Sequence, residues 1–346
     1  MRIIKPTFEI LEHDSNTNPQ QFIEKIARTC YKSEDKITKD SNRKFIKAIY
    51  DRGHWAMLEH YIFTYETNDR LTRILKGFCP RYITILESAK GTYIAFSARA
   101  LLEIEQTLKE KQNIFLGVAG LEVRVVSLII TYIINTVIKD YDCYELFGKD
   151  REQKGQIDLG HPENYYLLKR VNEEDIIEEC RRLLIWRSVK FTTSRAVSHE
   201  LVRHRPCSFS QESQRYVNYA KGKFGAEIRV IEPCFFEKNS APYEIWRDTE
   251  ELIEKKYMDL INNGAKPQEA RELLSNSTKT EIVVTAPLSQ WEKMFFLRCD
   301  TPANPSMRQL MIPVFNSFYE EYPNIFEEVK NKINLDFDYP LAEQLK

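Results

Sequence analysis

A dense cluster of cationic, hydroxyl and amide side chains occupies the segment from His199 to Tyr219, which reads HELVRHRPCSFSQESQRYVNY. Arg203, His204 and Arg205 follow one another at the predicted end of a helix, before Pro206, and serine and glutamine side chains come next. Arginine presents a fork of N–H donors that matches a phosphate, and hydroxyl and backbone N–H groups can complete such a cradle. The sequence therefore predicts an anionic-ligand site here; the alternative is the solvated end of a charged helix.

Other catalytic motifs are absent or have the wrong spacing. In HELVRH, Arg203 stands where a zinc-protease helix carries its second histidine, four residues after His199. His54 and His60 are also wrongly spaced for one helical face, so we expect no metal site. Neither the glycine fingerprint of dinucleotide-binding folds nor the P-loop pattern occurs, and those phosphate sites are not supported.

Cys207 lies inside the cluster, where neighbouring arginines would lower the pKa of its thiol. A catalytic thiol also needs a partner base, and the sequence reveals no Cys-His-Asn arrangement around this position. A nucleophilic Cys207 therefore stays only as an alternative to the anion site.

The composition is that of a soluble globular protein, with 346 residues, 42% hydrophobic and 29% charged. The formal net charge of -1 disfavours a generic nucleic-acid binder. Seven scattered cysteines without a CxxC motif indicate free thiols in a reducing cytoplasm. The N-terminus lacks a signal-peptide pattern, and the uncharged stretch Val125 to Ile138 is shorter than the roughly 20 residues of a spanning helix. We expect a cytoplasmic protein without a nucleic-acid or membrane partner, and a buried core helix in the apolar stretch.

The elements that must position these residues form an α+β pattern. Strands are predicted at Arg2 to Leu11, His60 to Thr67, Glu227 to Ile231 and Thr280 to Ala286. Helices are predicted at Asn18 to Ala27, Ser41 to Gly53, Glu173 to Arg205, Tyr243 to Asn262, from Pro267, at Gln290 to Arg298 and at Ser306 to Tyr322. A polar stretch at 148–164 is predicted to be a surface loop.

Arg203, His204 and Arg205, followed after seven residues by Ser213, resemble the RHR-x7-S signature of the flavin-dependent thymidylate synthases. Four further segments resemble that family in order and spacing: ARTCYKSED from Ala27, GHWAMLEH from Gly53, NSTKTE from Asn276 and LRCD from Leu297. The likeness covers roughly residues 1–67 and 183–325. It implies one catalytic domain over 1–346, with a mixed β-sheet flanked by helices and a helical insertion at about 68–182.

The resemblance also implies a reaction, the reductive methylation of dUMP to dTMP. Methylenetetrahydrofolate would supply the carbon, FAD would carry the hydride, and NADPH would reduce the flavin. Such enzymes are homotetramers, and none of their cysteines attacks the pyrimidine. This agrees with the lack of a Cys-His-Asn arrangement around Cys207 in the sequence.

The family roles carry over to residues of this chain as follows. The flavin would contact Glu59, Arg203, His204, Arg205 and Lys293. The dUMP would contact Glu200, Gln211, Glu212, Ser213, Gln214, Arg215, Arg271 and Arg298. The catalytic candidates are Arg203, which would bridge pyrimidine and flavin, His54 on the flavin side, and Arg298, which would stabilise negative charge on the uracil ring.

Several positions depart from the family pattern. Gln211 replaces a frequent glutamate, Pro287 and Ser289 stand where the family commonly has flavin-binding Asn and Arg, and Asn304 replaces a histidine. Arg99 in the insertion could supply a replacement cation or could be a solvated helix residue. Two alternatives therefore stay open: a diverged relative that modifies C5 of another pyrimidine nucleotide, and a non-catalytic nucleotide-binding scaffold.

Overall fold

The computed structural model describes residues 1–12, 17–78, 83–110, 123–147, 167–215, 219 and 227–345. Its helices are α1 Pro19–Tyr31, α2 Ser41–Asp51, α3 Asp69–Phe78, α4 Ala98–Glu110, α5 Val123–Tyr141, α6 Glu178–Leu184, α7 Arg195–Leu201, α8 Ala241–Asn262, α9 Pro267–Ala270, α10 Leu288–Arg298, α11 Pro305–Glu321 and α12 Pro323–Lys332. Its strands are β1 Arg2–Ile4, β2 Thr7–Leu11, β3 Ile62–Thr67, β4 Ile83–Ser88, β5 Gly91–Ser97, β6 Leu168–Arg170, β7 Trp186–Ser194, β8 Ser208–Gln211, β9 Arg229–Ile231, β10 Lys279–Pro287 and β11 Glu343–Gln344. These elements divide into two compact units: Met1–Glu12, Arg28–Glu34 and Arg187–Lys346 form the first, and His13–Ala27 and Asp35–Trp186 form the second.

The first unit is built on a five-stranded sheet with the order β11-β2-β7-β10-β8. Strand β2 pairs antiparallel with β7 and parallel with β11, so the sheet is mixed. Every residue of β10 is buried, which fits its run of β-branched side chains. The aromatic rings of Trp291, Phe295 and Phe318 pack together in the core beside it. The predicted α+β class with a mixed sheet is confirmed.

The second unit contains an antiparallel sheet with the order β4-β5-β3-β6. Tyr65 of β3 stacks on Phe96 of β5 with a centroid distance of 6.0 Å. Helix α5 is buried at Val126, Ile130 and Val137, so the predicted core helix is confirmed over its described part. Within the described ranges, no helix is long and apolar enough to span a membrane. The predicted loop at 148–164 lies outside the described residues.

The predicted helix from Glu173 to Arg205 is wrong in its middle. The structure has α6, then the strand β7 over Trp186–Ser194, and then α7. Strand β7 is rich in β-branched and aromatic residues, which fit a pleated surface, and Val189 and Phe191 are fully buried. The apparent helical spacing arose because buried residues of three short elements follow one another closely in sequence.

Most of the other predicted elements are confirmed, and they begin and end close to the predicted residues. Strand β10 and helices α8, α10 and α11 match within two residues. Gly264 follows α8 with a φ of +94°, a left-handed conformation that glycine adopts without strain. The predicted strand from His60 begins only at Ile62, because His60 ends a short 3-10 helix over Trp55–Glu59.

A buried ionic cluster of alternating lysines and carboxylates surrounds the start of β10. Lys279 Nζ donates to Glu212 Oε2 over 2.9 Å and to Glu281 Oε1 over 2.5 Å. Lys32 and Lys190 each lie 2.8 Å from a Glu281 oxygen. Burial raises the pKa of Glu281, but the three lysines outweigh it and hold that pKa well below its usual range. The carboxylate is therefore charged in the folded protein.

Removal of one cation from this cluster tests how much the fold depends on it. We expect Lys279→Met to lower the free energy of unfolding by about 3 kcal/mol, because it leaves buried carboxylates with less compensation. Urea unfolding at neutral pH measures the loss. The control is Lys332→Met, which breaks an exposed pair with Glu328 and should cost less than about 1 kcal/mol. Equal, small losses for the two variants would contradict this view of the cluster.

Candidate functional site

Helix α7 leads directly into the predicted RHR motif and is held firmly at its start. Ser194 Oγ accepts a hydrogen bond from Val197 N over 3.3 Å and caps the helix. The first two backbone N–H groups, of Arg195 and Ala196, donate to carbonyls next to β10 over 3.0 Å. The helix ends at Leu201, so the three motif residues lie in the turn that follows.

The centre of the site is Arg298, the last residue of α10. Its Nη1 donates to Glu200 Oε2 over 2.6 Å, and its Nε donates to His204 Nε2 over 3.0 Å. The Glu200 carbonyl is 3.5 Å from Nη2. The structure thus brings together two predicted nucleotide residues, Glu200 and Arg298, and one predicted flavin residue, His204.

His204 is held in its neutral form. Its side chain is buried, and burial together with the positive charge of Arg298 lowers the pKa of the imidazole to about 4. Because Nε2 accepts the hydrogen bond from Arg298, the ring proton of the neutral form belongs on Nδ1. A neutral imidazole with a defined tautomer is therefore part of the site.

Arg203 and Arg205 extend from the same turn and are exposed. Arg205 donates only to backbone carbonyls, those of Val202 at 2.9 Å and His204 at 3.1 Å. Arg203 makes no ion pair within the described part of the chain. Among the residues that the structure describes, no carboxylate pairs with either guanidinium group, as expected of side chains that bind an anionic ligand.

Strand β8 and the residues after it place the predicted nucleotide side chains. Gln211 Nε2 donates to Ser198 Oγ over 2.9 Å. Glu212 Oε2 accepts from Lys279 Nζ over 2.9 Å and from Glu281 N over 3.1 Å, and Glu212 N donates to the Glu281 carbonyl over 2.8 Å, so Glu212 is tied into the buried cluster. Ser213 N donates to the Cys30 carbonyl over 3.1 Å, which fixes the backbone of the motif serine.

Gln214 and Arg215 follow directly along the chain. The Nε2 of Gln214 is buried and has no hydrogen-bond partner among the described residues. Such a donor is costly to leave unsatisfied, and a ligand oxygen is one way to satisfy it. Arg215 is exposed.

A second cationic pair lies at the start of α7. Arg271 has only a 3.8 Å contact to Glu272 as an ion pair within the described ranges. Burial lowers the pKa of the Arg195 guanidinium, the charges of Tyr219 and Glu212 act to raise it, and the positive charge of Arg271 lowers it. Because Arg195 and Arg271 repel each other and neither has an ion pair closer than 3.8 Å within the described ranges, they form a further anion-binding candidate. Sequence reasoning missed Arg195; the available signal was a cation at the first position of a helix that follows a buried strand.

The other predicted flavin residues lie in different parts of the chain. His54 is exposed and precedes the 3-10 helix that ends at Glu59. Glu59 Oε1 accepts a 2.5 Å hydrogen bond from Nη1 of Arg99, the residue that the sequence left between two interpretations. Arg99 is thus an ion-paired residue. Lys293 is exposed on α10.

The departures from the family pattern have local structural roles. Pro287 ends β10 and precedes α10, where a residue without a backbone N–H is tolerated. The Asn304 side chain caps α11 by accepting from Ser306 N over 2.9 Å. Burial raises the pKa of the Cys207 thiol to about 12, although Arg205 acts to lower it. A protonated thiol argues against the alternative of a cysteine nucleophile.

Comparison with known proteins matches this chain to one family. The family model described as thymidylate synthase complementing protein matches residues 10–72 and 187–324. The flavin-dependent thymidylate synthase of Corynebacterium aurimucosum is 29% identical over 197 residues, which are 54% of this chain and 75% of that protein. The enzyme of the same name from Geobacter sulfurreducens is 32% identical over 135 residues, 39% of this chain and 56% of that protein. That from Pyrococcus furiosus is 30% identical over 153 residues, 41% of this chain and 62% of that protein.

The two matched segments contain the RHR motif, Ser213, Arg271 and Arg298, together with His54 and Glu59. Residues 73–186 lie between the two segments and are not matched. The family model matches more than half of the residues of this chain, and the chain therefore belongs to the thymidylate synthase complementing protein family.

Proposed function

We propose that this chain is a flavin-dependent thymidylate synthase, which converts dUMP to dTMP with methylenetetrahydrofolate, FAD and NADPH. The observation that carries the proposal is the Arg298 guanidinium, held by Glu200 and His204, with Arg203 and Arg205 exposed in the adjoining turn. All five residues lie in segments that the family model matches. The relatives that share these segments are named as flavin-dependent thymidylate synthases. We also propose a cytoplasmic homotetramer that acts on small molecules alone.

Gln211 supports uracil as the base. Ser198 donates its own hydroxyl proton to the Arg195 carbonyl over 2.9 Å, so its oxygen must accept from Gln211 Nε2. This fixes the orientation of the amide and leaves Gln211 Oε1 as an acceptor. An acceptor suits the N3–H donor of uracil, whereas N3 of cytosine is itself an acceptor. The acceptor is thus compatible with the uracil base of dUMP, the substrate that we propose in preference to another pyrimidine nucleotide.

Arg298 has the charge that the reaction requires. Methylation at C5 needs negative charge on the uracil ring, and a fixed cation stabilises that charge without reorganisation. Three acceptors hold Arg298 on α10, namely Oε2 and the carbonyl of Glu200 and Nε2 of His204, and the guanidinium has further N–H donors for the ring. We propose that Arg298 binds and polarises the base.

The phosphate of dUMP would be bound by the second cationic pair. Arg271 repels Arg195 and has only a 3.8 Å contact to Glu272 as an ion pair within the described ranges, and a phosphate would relieve that repulsion. Ser213, Gln214 and Arg215 would add donors from the motif itself. The buried, unpartnered Nε2 of Gln214 is consistent with this assignment.

The exposed turn fits a flavin dinucleotide. Arg203 and Arg205 are uncompensated cations, as a pyrophosphate requires, and His204 offers a defined neutral ring. When bound, FAD supplies the hydride that completes the methyl group. The roles of His54, Glu59 and Lys293 toward the flavin remain proposals from the family resemblance.

Flavin binding and turnover test this function together. We expect the purified protein, supplied with FAD, to show a bound-flavin absorbance spectrum that shifts when dUMP is added. Arg203→Ala should lower kcat by at least about 100-fold, because it removes a cation from the reacting centre. Cys207→Ser is the control and should retain the original rate, since its thiol is protonated and has no role in the chemistry.

Two results would contradict the proposal. A protein that binds dUMP but cannot be loaded with FAD would favour the non-catalytic scaffold. A fully active Arg203→Ala variant would place the reacting centre elsewhere.

The neutral state of His204 predicts a pH dependence of stability. Between the ordinary histidine pKa of about 6.5 and the folded value of about 4, the unfolded chain binds a proton that the folded chain does not. The free energy of unfolding should therefore fall as the pH is lowered through this window, by at most about 1.4 kcal/mol per pH unit from this group. Chemical unfolding at several pH values measures the slope. His204→Gln should reduce that slope, and an identical slope in the variant would show that His204 is protonated normally.

A further inference from the structure

The region at 73–186, which the family model does not match, contains an arginine that forms an ion pair with Glu59 in the matched region. Arg99 Nη1 donates to Glu59 Oε1 over 2.5 Å, and Arg99 Nε donates to Glu103 Oε1 over 2.6 Å. Arg99 and Glu103 lie within the unmatched residues 73–186, whereas Glu59 lies within the matched residues 10–72. One guanidinium is thus shared between the family segment and the inserted one.

The backbone on each side of this contact is well supported. Leu58 and His60, the neighbours of Glu59, are both buried, so the Glu59 main chain is fixed between them. Arg99 lies in the first turn of α4, where Ser97 Oγ accepts from Ala100 N over 3.3 Å. Glu103 is one helical turn after Arg99, a spacing at which side chains meet. The Glu59 side chain could still rotate about its own bonds, and the hydrogen bond from Arg99 restricts that rotation.

Stability does not explain the arrangement well. The side chains of Arg99, Glu59 and Glu103 are 32%, 30% and 23% exposed, and ion pairs at such exposure contribute little to folding. The contact instead determines which groups Glu59 presents to a ligand. Arg99 occupies Glu59 Oε1 and leaves Oε2 as an acceptor in a defined place, and its charge offsets the repulsion that the carboxylate would exert on an anionic ligand.

We propose that Arg99 is a positioning residue for FAD, which orients Glu59 toward a hydroxyl or N–H donor of the flavin. The inference rests on the proposed function, because the assignment of Glu59 to the flavin comes from the family resemblance. It gives the inserted region a role in cofactor binding. That role suits a chain in which Pro287 and Ser289 stand at positions where the family commonly has flavin-binding Asn and Arg.

The test compares FAD and dUMP affinities of the full-length protein, each measured by titration without the other ligand. Arg99→Ala should raise the Kd for FAD at least about tenfold, because it removes a charge-assisted contact that orders Glu59. Arg99→Lys should recover part of the affinity, since lysine keeps the charge and loses the second donor. The Kd for dUMP and the melting temperature should stay near their original values. Lys47→Ala, which breaks an exposed pair with Asp51, is the control and should change nothing.

The outcomes separate this inference from the proposed function. If the original protein binds FAD and Arg99→Ala binds it equally well, the inference is wrong and the proposed function stands. If Arg99→Ala loses FAD and dUMP affinity together and melts earlier, Arg99 is structural and the inference is again wrong. A poorly folded Arg99→Ala leaves Arg99→Lys to decide: weakened FAD affinity at an unchanged melting temperature supports the inference, and unchanged affinity overturns it. If the original protein binds no FAD, the proposed function fails, and the inference fails with it.

Discussion

The contact of Arg298 with Glu200 and His204 is the interaction on which the rest of the site depends. It joins the ends of α10 and α7, and each of these helices directly follows a strand of the same sheet. Strands β10 and β7 are neighbours in that sheet, and their buried side chains fix where both helices begin. Burial of His204, together with the charge of this guanidinium, lowers the pKa of the imidazole and keeps it neutral. A small error in strand pairing would separate the three side chains, so the fold and the chemistry are specified together.

Two groups of cationic side chains differ in whether carboxylates contact them. The three lysines of the cluster at β10, Lys279, Lys32 and Lys190, pair with three carboxylates, those of Glu281, Glu212 and Glu34, so the cluster is internally balanced. Arg203 and Arg205 are exposed and meet no carboxylate within the described ranges. This contrast supports our proposal that phosphate-bearing ligands bind at the turn after α7.

Much of the fold could be predicted from local patterns, and the failures have a common cause. The caps and periodicity of α8 and the apolar run of β10 are local signals, and both elements formed as predicted. The middle of the predicted helix from Glu173 to Arg205 became a strand because burial in the sheet overrode an apparent helical spacing. At the site, the sequence singled out most of the candidate arginines, but it missed Arg195 and did not reveal which residues these arginines contact. A local sequence pattern cannot reveal contacts between residues far apart in the chain, such as Arg298 with His204 or Arg99 with Glu59.

The most direct test of the account is the identity of the methylated base. The enzyme would be incubated with equal amounts of dUMP and dCMP, FAD, NADPH and methylenetetrahydrofolate labelled in its one-carbon unit, and the nucleotides would be analysed by mass spectrometry. The account predicts labelled dTMP and no label on the cytosine nucleotide, because Gln211 offers an acceptor and Arg298 a cation to a uracil ring. Label on the cytosine nucleotide, or no transfer of the labelled carbon to either base, would contradict it.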